Sequence, residues 1–184
     1  MFRVVARCRN VSDVEMAREA GFDDVGVDLD GPRSMVAGVD IGFLSDAYQD
    51  MQSVRQLGLR MVFSQVLCSK RGAALLSSLG IPGMVFSVAG PNVAGGVQAD
   101  MPVCLLAKCT DPIQPDWYGL AGHPLWIVSH GSRVGWHTYC EALVRGMRIV
   151  GVVEDVREMT PALMRRLVLF WDAERERRKA CRHV

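Results

Sequence analysis

Residues 2–28 read FRVVARCRNVSDVEMAREAGFDDVGVD and contain one complete strand–helix–strand unit. The apolar runs Phe2–Arg7 and Asp24–Asp28 have the length and composition of short buried strands. Between them, Ser12–Glu15 has the capping-box form that opens a helix, and Gly21 stands where a left-handed C-cap would end it. The unit therefore predicts two strands joined by a helix, the building block of an α/β sheet.

The same alternation continues along the chain. The further strands are continuous apolar runs, as burial on both faces of a parallel sheet requires. We predict them at Val39–Phe43, Leu59–Ser64, Gly83–Val88, Val103–Ala107, Leu125–Ser129 and, as a strand or a buried helical turn, Met147–Val153. Helices are predicted from about Ser45 to Leu57, from Ser69 to Leu79 and from Trp136 to Val144. A full (β/α)₈ barrel typically uses about 250 residues. Residues 1–184 are thus predicted to form a single α/β domain, a TIM-like barrel with parallel strands and outer helices that is shortened or incomplete.

The last helix has a clear beginning. Thr160 is suited to the N-cap and Pro161 to the first helical position. Its apolar face is predicted from the spacing of Leu163, Leu167 and Phe170. The charged run that follows alternates Glu with Arg, which favours a solvated, salt-bridged face over a nucleic-acid tail.

The basic residues are almost all arginine. Eighteen of the 21 are Arg, while the formal net charge is only +1. A planar guanidinium suits phosphate oxygens and stacking on bases, although a GC-rich genome would produce the same bias. Aromatic residues make up 7% of the chain, and no aromatic–basic–aromatic stripe marks a single-strand stacking platform. Any RNA recognition is therefore expected through phosphate and shape.

The six cysteines show neither a CxxC pair nor zinc-finger spacing with histidine. Several lie in apolar runs, where a reduced thiol packs as a small hydrophobe. No apolar run approaches the ~18 residues that a membrane span needs, and Met1–Val5 lacks the organisation of a signal peptide. These features predict a cytoplasmic protein with free thiols and no bound metal.

Candidate ligand-binding residues follow the predicted strands, because ligands of parallel α/β folds collect at the carboxyl ends of strands. Ser129, His130, Ser132 and Arg133 combine polar side chains with a flexible backbone that would suit a phosphate; an ordinary solvated loop is the alternative. Asp28 and Asp30 would suit acid–base chemistry or Mg²⁺, although the same residues also favour a simple turn.

Stretches near both ends of the chain together resemble one family, the archaeal ribonuclease P protein component three. Arg7–Ser12 and Ala17–Val27 are similar to its first strand, a helix ending in a Gly-Phe-Asp turn, and its second strand. Trp126–Arg133 is similar to its penultimate strand and Trp136–Met147 to the helix that follows. The last helix, with Arg165-Arg166 and its Glu/Arg tail, resembles the family's closing helix. The resemblance covers about half of the chain.

The resemblance implies a TIM-barrel subunit that supports a catalytic RNA in tRNA processing. The RNA would hydrolyse the phosphodiester bond that releases the 5′ leader of precursor tRNA. Mg²⁺ would be held at the RNA and no cofactor by the protein. The partners would be that RNA and another small protein subunit, with neither DNA nor a membrane involved. The residues expected at RNA phosphates are Arg7, Arg9, Lys70, Arg71, Lys108, Ser129, Ser132, Arg133 and Arg145.

Two other hypotheses remain open. The N-terminal pattern would also suit phosphate-binding barrels such as phosphoribosylanthranilate isomerase. The chain would then be an enzyme acting on a phosphorylated metabolite, with Asp28, Asp30 and His130 as its site. The third hypothesis is a protein-interaction scaffold. An enzyme predicts a concave pocket with a carboxylate of shifted pKa, an RNA subunit predicts an arginine-lined surface, and a scaffold predicts an exposed apolar patch.

Overall fold

The structure is a computed structural model that describes most of the two ends of the chain and the strands between them. The described residues are 2–29, 36–44, 54, 56–64, 83–88, 101–105, 120–129 and 133–181; for 86–88, 105 and 133–135 the backbone alone is described.

Eight strands form the sheet, and each is parallel to its neighbours. They are β1 (Arg3–Cys8), β2 (Asp24–Leu29), β3 (Ile41–Leu44), β4 (Met61–Ser64), β5 (Met84–Val88), β6 (Val103–Leu105), β7 (Leu125–Ser129) and β8 (Ile149–Asp155). The sheet closes because β8 also pairs with β1, with Arg3 opposite Gly151 and Arg7 opposite Asp155. The prediction of a shortened TIM-like barrel is confirmed, and Met147–Val153 contributes a strand rather than a helical turn.

The described residues contain three helices outside this barrel. They are α1 (Val11–Ala20), α2 (Arg133–Val144) and α3 (Pro161–Ala180). Along the sequence, α1 follows β1, α2 follows β7 and α3 follows β8. The strands β7, β8 and β1 are neighbours in the closed sheet. The starts of all three helices therefore lie at the carboxyl end of the barrel.

The barrel interior is filled by apolar side chains, since alternate residues of each strand point inward. These residues are Val5, Ile41, Phe43, Phe63, Val85, Cys104, Trp126, Val128 and Val153. Two glycines make room for aromatic rings in this narrow space. A Cβ on Gly26 would lie 2.7 Å from Cε2 of Phe43, and one on Gly151 would lie 2.4 Å from Cζ3 of Trp126. At these two inward positions, glycine therefore leaves room for a ring on a neighbouring strand.

The outward residues of the strands form a second core beneath the helices. Val4, Val27, Ile127 and Val152 pack there with helical residues that include Ala17, Tyr139, Met164 and Trp171. Glu154 of β8 is completely buried in this layer and accepts a hydrogen bond of 2.6 Å from Nε1 of Trp171. A buried carboxylate needs such a donor, so this bond helps to hold α3 in place.

Helix α1 begins earlier than its capping-box pattern predicts. Its N-cap is Asn10, whose side chain accepts the backbone N–H of Asp13 at 3.0 Å. The carboxylate of Asp13 in turn accepts the backbone N–H of Arg9 at 2.8 Å. The prediction of Ser12 as the cap is therefore wrong, because Asn10 caps the helix two residues earlier and Asp13 accepts the N–H of the residue before that cap. The predicted end is confirmed: Gly21 has a φ of 102°.

Helix α3 begins as predicted, since Thr160 caps it and its hydroxyl accepts the N–H of Leu163 at 3.3 Å. Its buried face differs from the prediction. Met164, Trp171 and Glu174 are buried, whereas Leu163 and Phe170 are each 41% exposed. A pattern of hydrophobic residues misses this face because one of its members is a carboxylate, which accepts a hydrogen bond from the hydroxyl of Tyr139.

The cysteines that the structure describes are all free thiols. Cys8 and Cys104 are buried, and burial raises the pKa of each thiol to about 12. Cys8 is also surrounded by the carboxylates of Asp13, Asp28 and Asp155, which raise its pKa further. A thiol that remains protonated is a poor nucleophile, so these two residues serve as small core hydrophobes.

Candidate functional site

Charged residues close both ends of the barrel interior. On β1, Arg3 and Arg7 point inward four residues apart, and on β2 so do Asp24 and Asp28. At the amino end Arg3 forms a two-pronged ion pair with Asp24, with both N–O distances 2.8 Å. At the carboxyl end Nε of Arg7 donates to Oδ1 of Asp28 at 2.7 Å. The equal spacing on neighbouring strands thus produces the same pair twice.

The pair at the carboxyl end belongs to a larger group, here called the mouth cluster, which consists of Arg7, Asp28, Asp155 and Arg157. Arg157 donates from Nη1 to Asp28 at 3.0 Å and from Nε to Asp155 at 2.7 Å. A second nitrogen of Arg157 also bonds Asp155. Nη1 of Arg7 lies 3.9 Å from Asp155, and its guanidinium sits 5.5 Å from the centre of the Phe43 ring. The cluster joins β1, β2 and the end of β8 across the closure.

The electrostatics of the mouth cluster favour the charged forms of Asp155 and Arg157. Burial opposes ionisation of Asp155, but hydrogen bonds and charge from Arg157, with a smaller contribution from Arg7, lower the pKa of Asp155 below its ordinary value. The same contacts raise the pKa of Arg157. A general acid at neutral pH needs a carboxyl whose pKa is raised. Asp155 therefore suits a structural ion pair and is poorly suited to donating a proton.

A second charged group lies at the amino end, where Arg60 bridges Asp24 and Asp40 at 3.0 and 2.6 Å. Beside it a groove of about 720 Å³ opens between the starts of β1 and β2 and the last turns of α3. Its charged lining is mostly paired within the protein, as in the contact of Arg175 with Asp172 at 2.8 Å. The groove lies at the opposite end from the strand termini where barrel enzymes bind substrate.

The sequence-predicted site residues fall into separate places. Arg7 and Asp28 meet in the mouth cluster, and Arg9 follows β1 at the same end, fully on the surface. Ser129 is buried and pairs in register with Glu154, so it lies on the outer, helix-facing side of the sheet. Arg145 lies beyond the end of α2, near the amino end of the barrel, and bonds Glu141 at 3.0 Å. The structure therefore does not bring Arg145 together with Arg7 and Arg9.

The other predicted site residues lie partly or wholly outside the part of the chain that the structure describes. The backbone of Arg133 opens α2. Asp30, Lys70, Arg71, Lys108, His130 and Ser132 lie outside the described residues.

Three exposed guanidiniums at the carboxyl end form what we call the arginine edge, which consists of Arg9, Arg165 and Arg166. None of them makes an ion pair or a side-chain hydrogen bond with any residue that the structure describes. They lie in one sector because β1 and β8 are paired and α1 contacts α3. At 1.5 Å per residue, Arg165 and Arg166 are only about 6–8 Å from the start of α3. Among the described residues, the edge is thus a cationic surface without acidic partners, at the same end of the barrel as the mouth cluster.

Sequence reasoning missed several of these residues. The equal spacing of Arg3 and Arg7 on one strand and Asp24 and Asp28 on the next is visible in the sequence and could have predicted both inward ion pairs. Nothing local predicts the role of Arg157, because it reaches Asp28 only through the closure of β8 on β1. That Arg165 and Arg166 meet no acidic side chain in the part of the chain that the structure describes is likewise a property of the fold.

Within the described part of the chain, no group of three or more His, Cys, Asp or Glu side chains is arranged to hold a metal ion. The helices described there are also too short or too polar to span a membrane. No protein-family model matches the sequence, and no curated protein is significantly similar to it. The functional inference therefore depends on the chain's own residues and their geometry.

Removal of the charge of Asp28 tests the structural role of the mouth cluster. We expect Asp28→Asn to lower the free energy of unfolding by about 2–3 kcal/mol, because it leaves two half-buried guanidiniums, those of Arg7 and Arg157, with Asp155 as their one charged partner in the mouth cluster. The exposed pair of Glu176 and Lys179 provides the control, and Glu176→Gln should cost less than about 1 kcal/mol. Urea unfolding of both variants measures the difference. Equal losses would show that the mouth cluster stabilises no more than a surface pair.

Proposed function

We propose that this chain is a protein subunit of ribonuclease P that supports the catalytic RNA in removing the 5′ leader from precursor tRNA. The protein would bind phosphates and help to fix the fold of the RNA, while the RNA and its Mg²⁺ would carry out the hydrolysis. The resemblance of the sequence to the ribonuclease P family supports the assignment to that ribonucleoprotein. The arginine edge is the structural observation that carries the RNA-binding part of the proposal.

The arginine edge supports RNA binding because its charges are available. Four other arginines of the described chain are neutralised within the protein: Arg7 and Arg157 in the mouth cluster, and Arg3 and Arg60 at the opposite end. Arg9, Arg165 and Arg166 are exposed and have no such partner among the described residues. An RNA backbone offers the phosphates that such guanidiniums bind, with release of counterions as the driving force.

The residues at the carboxyl end of the barrel give less support to the alternative, an enzyme that acts on a phosphorylated metabolite. It requires a carboxyl poised to exchange a proton, and Asp28 and Asp155 are both held by guanidiniums at 2.7–3.0 Å. The groove of about 720 Å³ that the described residues line lies at the amino end, away from the strand ends where barrel enzymes bind substrate. A metabolite enzyme remains the second hypothesis, and thermal shift with phosphorylated metabolites would test it.

Recovery of RNA with the protein tests the proposal. The tagged chain is purified from its own host at low and at high salt, and the RNA that accompanies it is sequenced. We expect one dominant structured RNA that is released as the salt concentration rises. A tagged variant carrying Arg165→Gln and Arg166→Gln, purified in parallel, should retain less of that RNA.

The outcomes are distinct. A preparation that contains the dominant RNA should also cleave precursor tRNA at the 5′ leader when Mg²⁺ is supplied, and this activity would support the ribonuclease P assignment. A dominant RNA without such cleavage would show that the assignment to ribonuclease P is wrong, although the protein would still be an RNA-binding protein. If no RNA is enriched even at low salt, the proposal is wrong.

A further inference from the structure

Helices α2 and α3 bring together an exposed aromatic pair that the sequence separates by more than thirty residues. The rings of Trp136 and Phe170 are in edge-to-face contact, with centroids 5.0 Å apart and an interplanar angle of 79°. Trp136 is 39% exposed and Phe170 is 41% exposed. Large aromatic side chains usually bury their surface, so a pair left exposed at one place indicates a contact surface.

The pair rests on a rigid base. Trp136 stacks on the buried ring of Tyr139 at 5.4 Å with an interplanar angle of 23°. Tyr139 is itself fixed, since its hydroxyl donates to Glu174 and its ring packs edge-on against Trp171 at 5.3 Å. A preorganised aromatic surface loses little conformational entropy when a flat ligand binds it.

The surroundings of the pair are cationic. Arg166 lies one helical turn before Phe170 on α3, so the two side chains share a face, and its guanidinium has no partner among the described residues. Neither α2 nor α3 has an acidic residue in its first turn, although acidic residues are favoured there because they offset the positive end of the helix dipole. Both helix starts lie at the carboxyl end, so their positive ends reinforce the charge of Arg165 and Arg166.

The size of the exposed apolar surface decides between two classes of ligand. A whole aromatic side chain offers about 150–250 Å², so the exposed parts of Trp136, Phe170 and the neighbouring Leu163 amount to roughly 200–250 Å². A stable protein interface buries about 800 Å² on each partner. The patch that the described residues form is thus smaller than a protein interface requires but matches one or two flat bases, and the adjoining guanidinium matches a phosphate.

We propose that Trp136, Phe170 and Arg166 form a binding site for an unpaired stretch of RNA, in which a base packs on the aromatic pair and a neighbouring phosphate binds Arg166. This inference rests on the proposed function and adds that the site is specific for single-stranded RNA. Stacking of bases on aromatic side chains is tolerant of sequence, so the site would recognise an unpaired segment by its exposed bases. A duplex, whose bases are already stacked, would contact only the arginine edge.

The test compares two probes on the full-length protein. One is an oligouridylate of about ten nucleotides and the other an RNA hairpin duplex with the same number of phosphates, both fluorescently labelled for anisotropy. Phe170→Leu removes the aromatic ring but keeps an apolar side chain. It should weaken binding of the oligouridylate about tenfold and leave binding of the duplex unchanged. Leu169→Ala is the matched control, because Leu169 is the preceding residue of α3 and is 70% exposed; it should change neither affinity.

A second variant protects the test against misfolding. Trp136→Phe retains an aromatic ring, so the protein should fold and still bind the oligouridylate. In the wild-type protein, bound oligouridylate should quench tryptophan fluorescence, because Trp136 is exposed whereas Trp126 and Trp171 are buried. That quenching should be largely lost in Trp136→Phe. The fourth tryptophan, Trp117, lies outside the described residues, and the comparison of the wild type with Trp136→Phe separates its signal from that of Trp136. Circular dichroism of each variant verifies that the barrel is intact.

Each remaining outcome contradicts the inference in a recognisable way. If Phe170→Leu weakens the binding of duplex and single-stranded RNA equally, or changes neither affinity, the aromatic pair is not a base-binding site. The proposed function would still stand in that case, provided that the host RNA is recovered with the wild-type protein. A protein that co-purifies with the wild-type chain could also be lost from Phe170→Leu while the affinity for the oligouridylate is unchanged. That result would assign the patch to a protein partner instead. If the wild-type chain binds neither probe and recovers no RNA, both proposals fail.

Discussion

Gly83→Ala is expected to destabilise the barrel by about 3 kcal/mol or more. Gly83 precedes β5 with a φ of +66°, and a Cβ there would lie 2.1 Å from the carbonyl oxygen of Arg60. The obstacle is backbone of the neighbouring strand segment, so no side-chain rotation can relieve it. The left-handed conformation adds about 1–2 kcal/mol for a residue with a Cβ, and forced overpacking adds about 1–3 kcal/mol.

Gly58→Ala supplies the matched control for this prediction. Gly58 precedes β4 with nearly the same φ, +64°, but a Cβ there would meet no atom within 4 Å. Its cost should be the conformational part alone, about 1–2 kcal/mol. Urea unfolding of both variants measures the two losses. If the two variants lose the same free energy, the close approach of Gly83 to Arg60 makes no contribution to stability.

Replacement of both Arg165 and Arg166 by Gln is expected to weaken RNA binding about tenfold or more at moderate salt. Each guanidinium that contacts a phosphate contributes about one unit to the slope of log affinity against log salt concentration. The slope should therefore become shallower by about two in the double variant. The measurement is a salt titration of binding to the RNA recovered with the chain, and the fold should be unaffected because both side chains are exposed.

A second double variant removes the same charge from the other end of the barrel. Arg148 precedes β8 and Lys179 lies in the last turn of α3, and both are exposed. Arg148→Gln with Lys179→Gln should leave the slope nearly unchanged if RNA binds at the arginine edge. Equal changes of slope in the two double variants would mean that RNA responds only to the total charge of the protein.

The fold was largely predictable from the sequence because its strands are buried on both sides. Continuous apolar runs such as Leu125–Ser129 and glycine stops such as Gly21 are local signals, and both are confirmed. The errors arose where a polar residue occupies an apolar position or replaces an expected cap. Glu174 completes the buried face of α3, and Asn10 rather than Ser12 caps α1.

The candidate site was less predictable, because its properties depend on which residues the closed barrel brings together. Arg7 and Asp28 were identified individually as residues at strand ends, but their joint neutralisation with Arg157 requires the pairing of β8 with β1. Trp136 and Phe170 belong to different helices and form no stripe in the sequence. Their contact follows only from the adjacent positions of β7 and β8, which place α2 beside α3.

The pairing of β1 with β8 also governs the order in which the protein can assemble. Arg3 and Gly151 are partners across most of the 184-residue chain, and contacts between such distant segments are formed slowly because a long loop must close first. During synthesis the outer edge of β1 has no strand to pair with until β8 has emerged, and an unpaired edge is a template for aggregation. The bond between Asp28 and Arg157 must wait for the same event. Completion of the last strand is thus the step that removes the open edge of β1, and the folding rate should be more sensitive to changes in β8 than to changes in strands that pair with neighbours close in sequence.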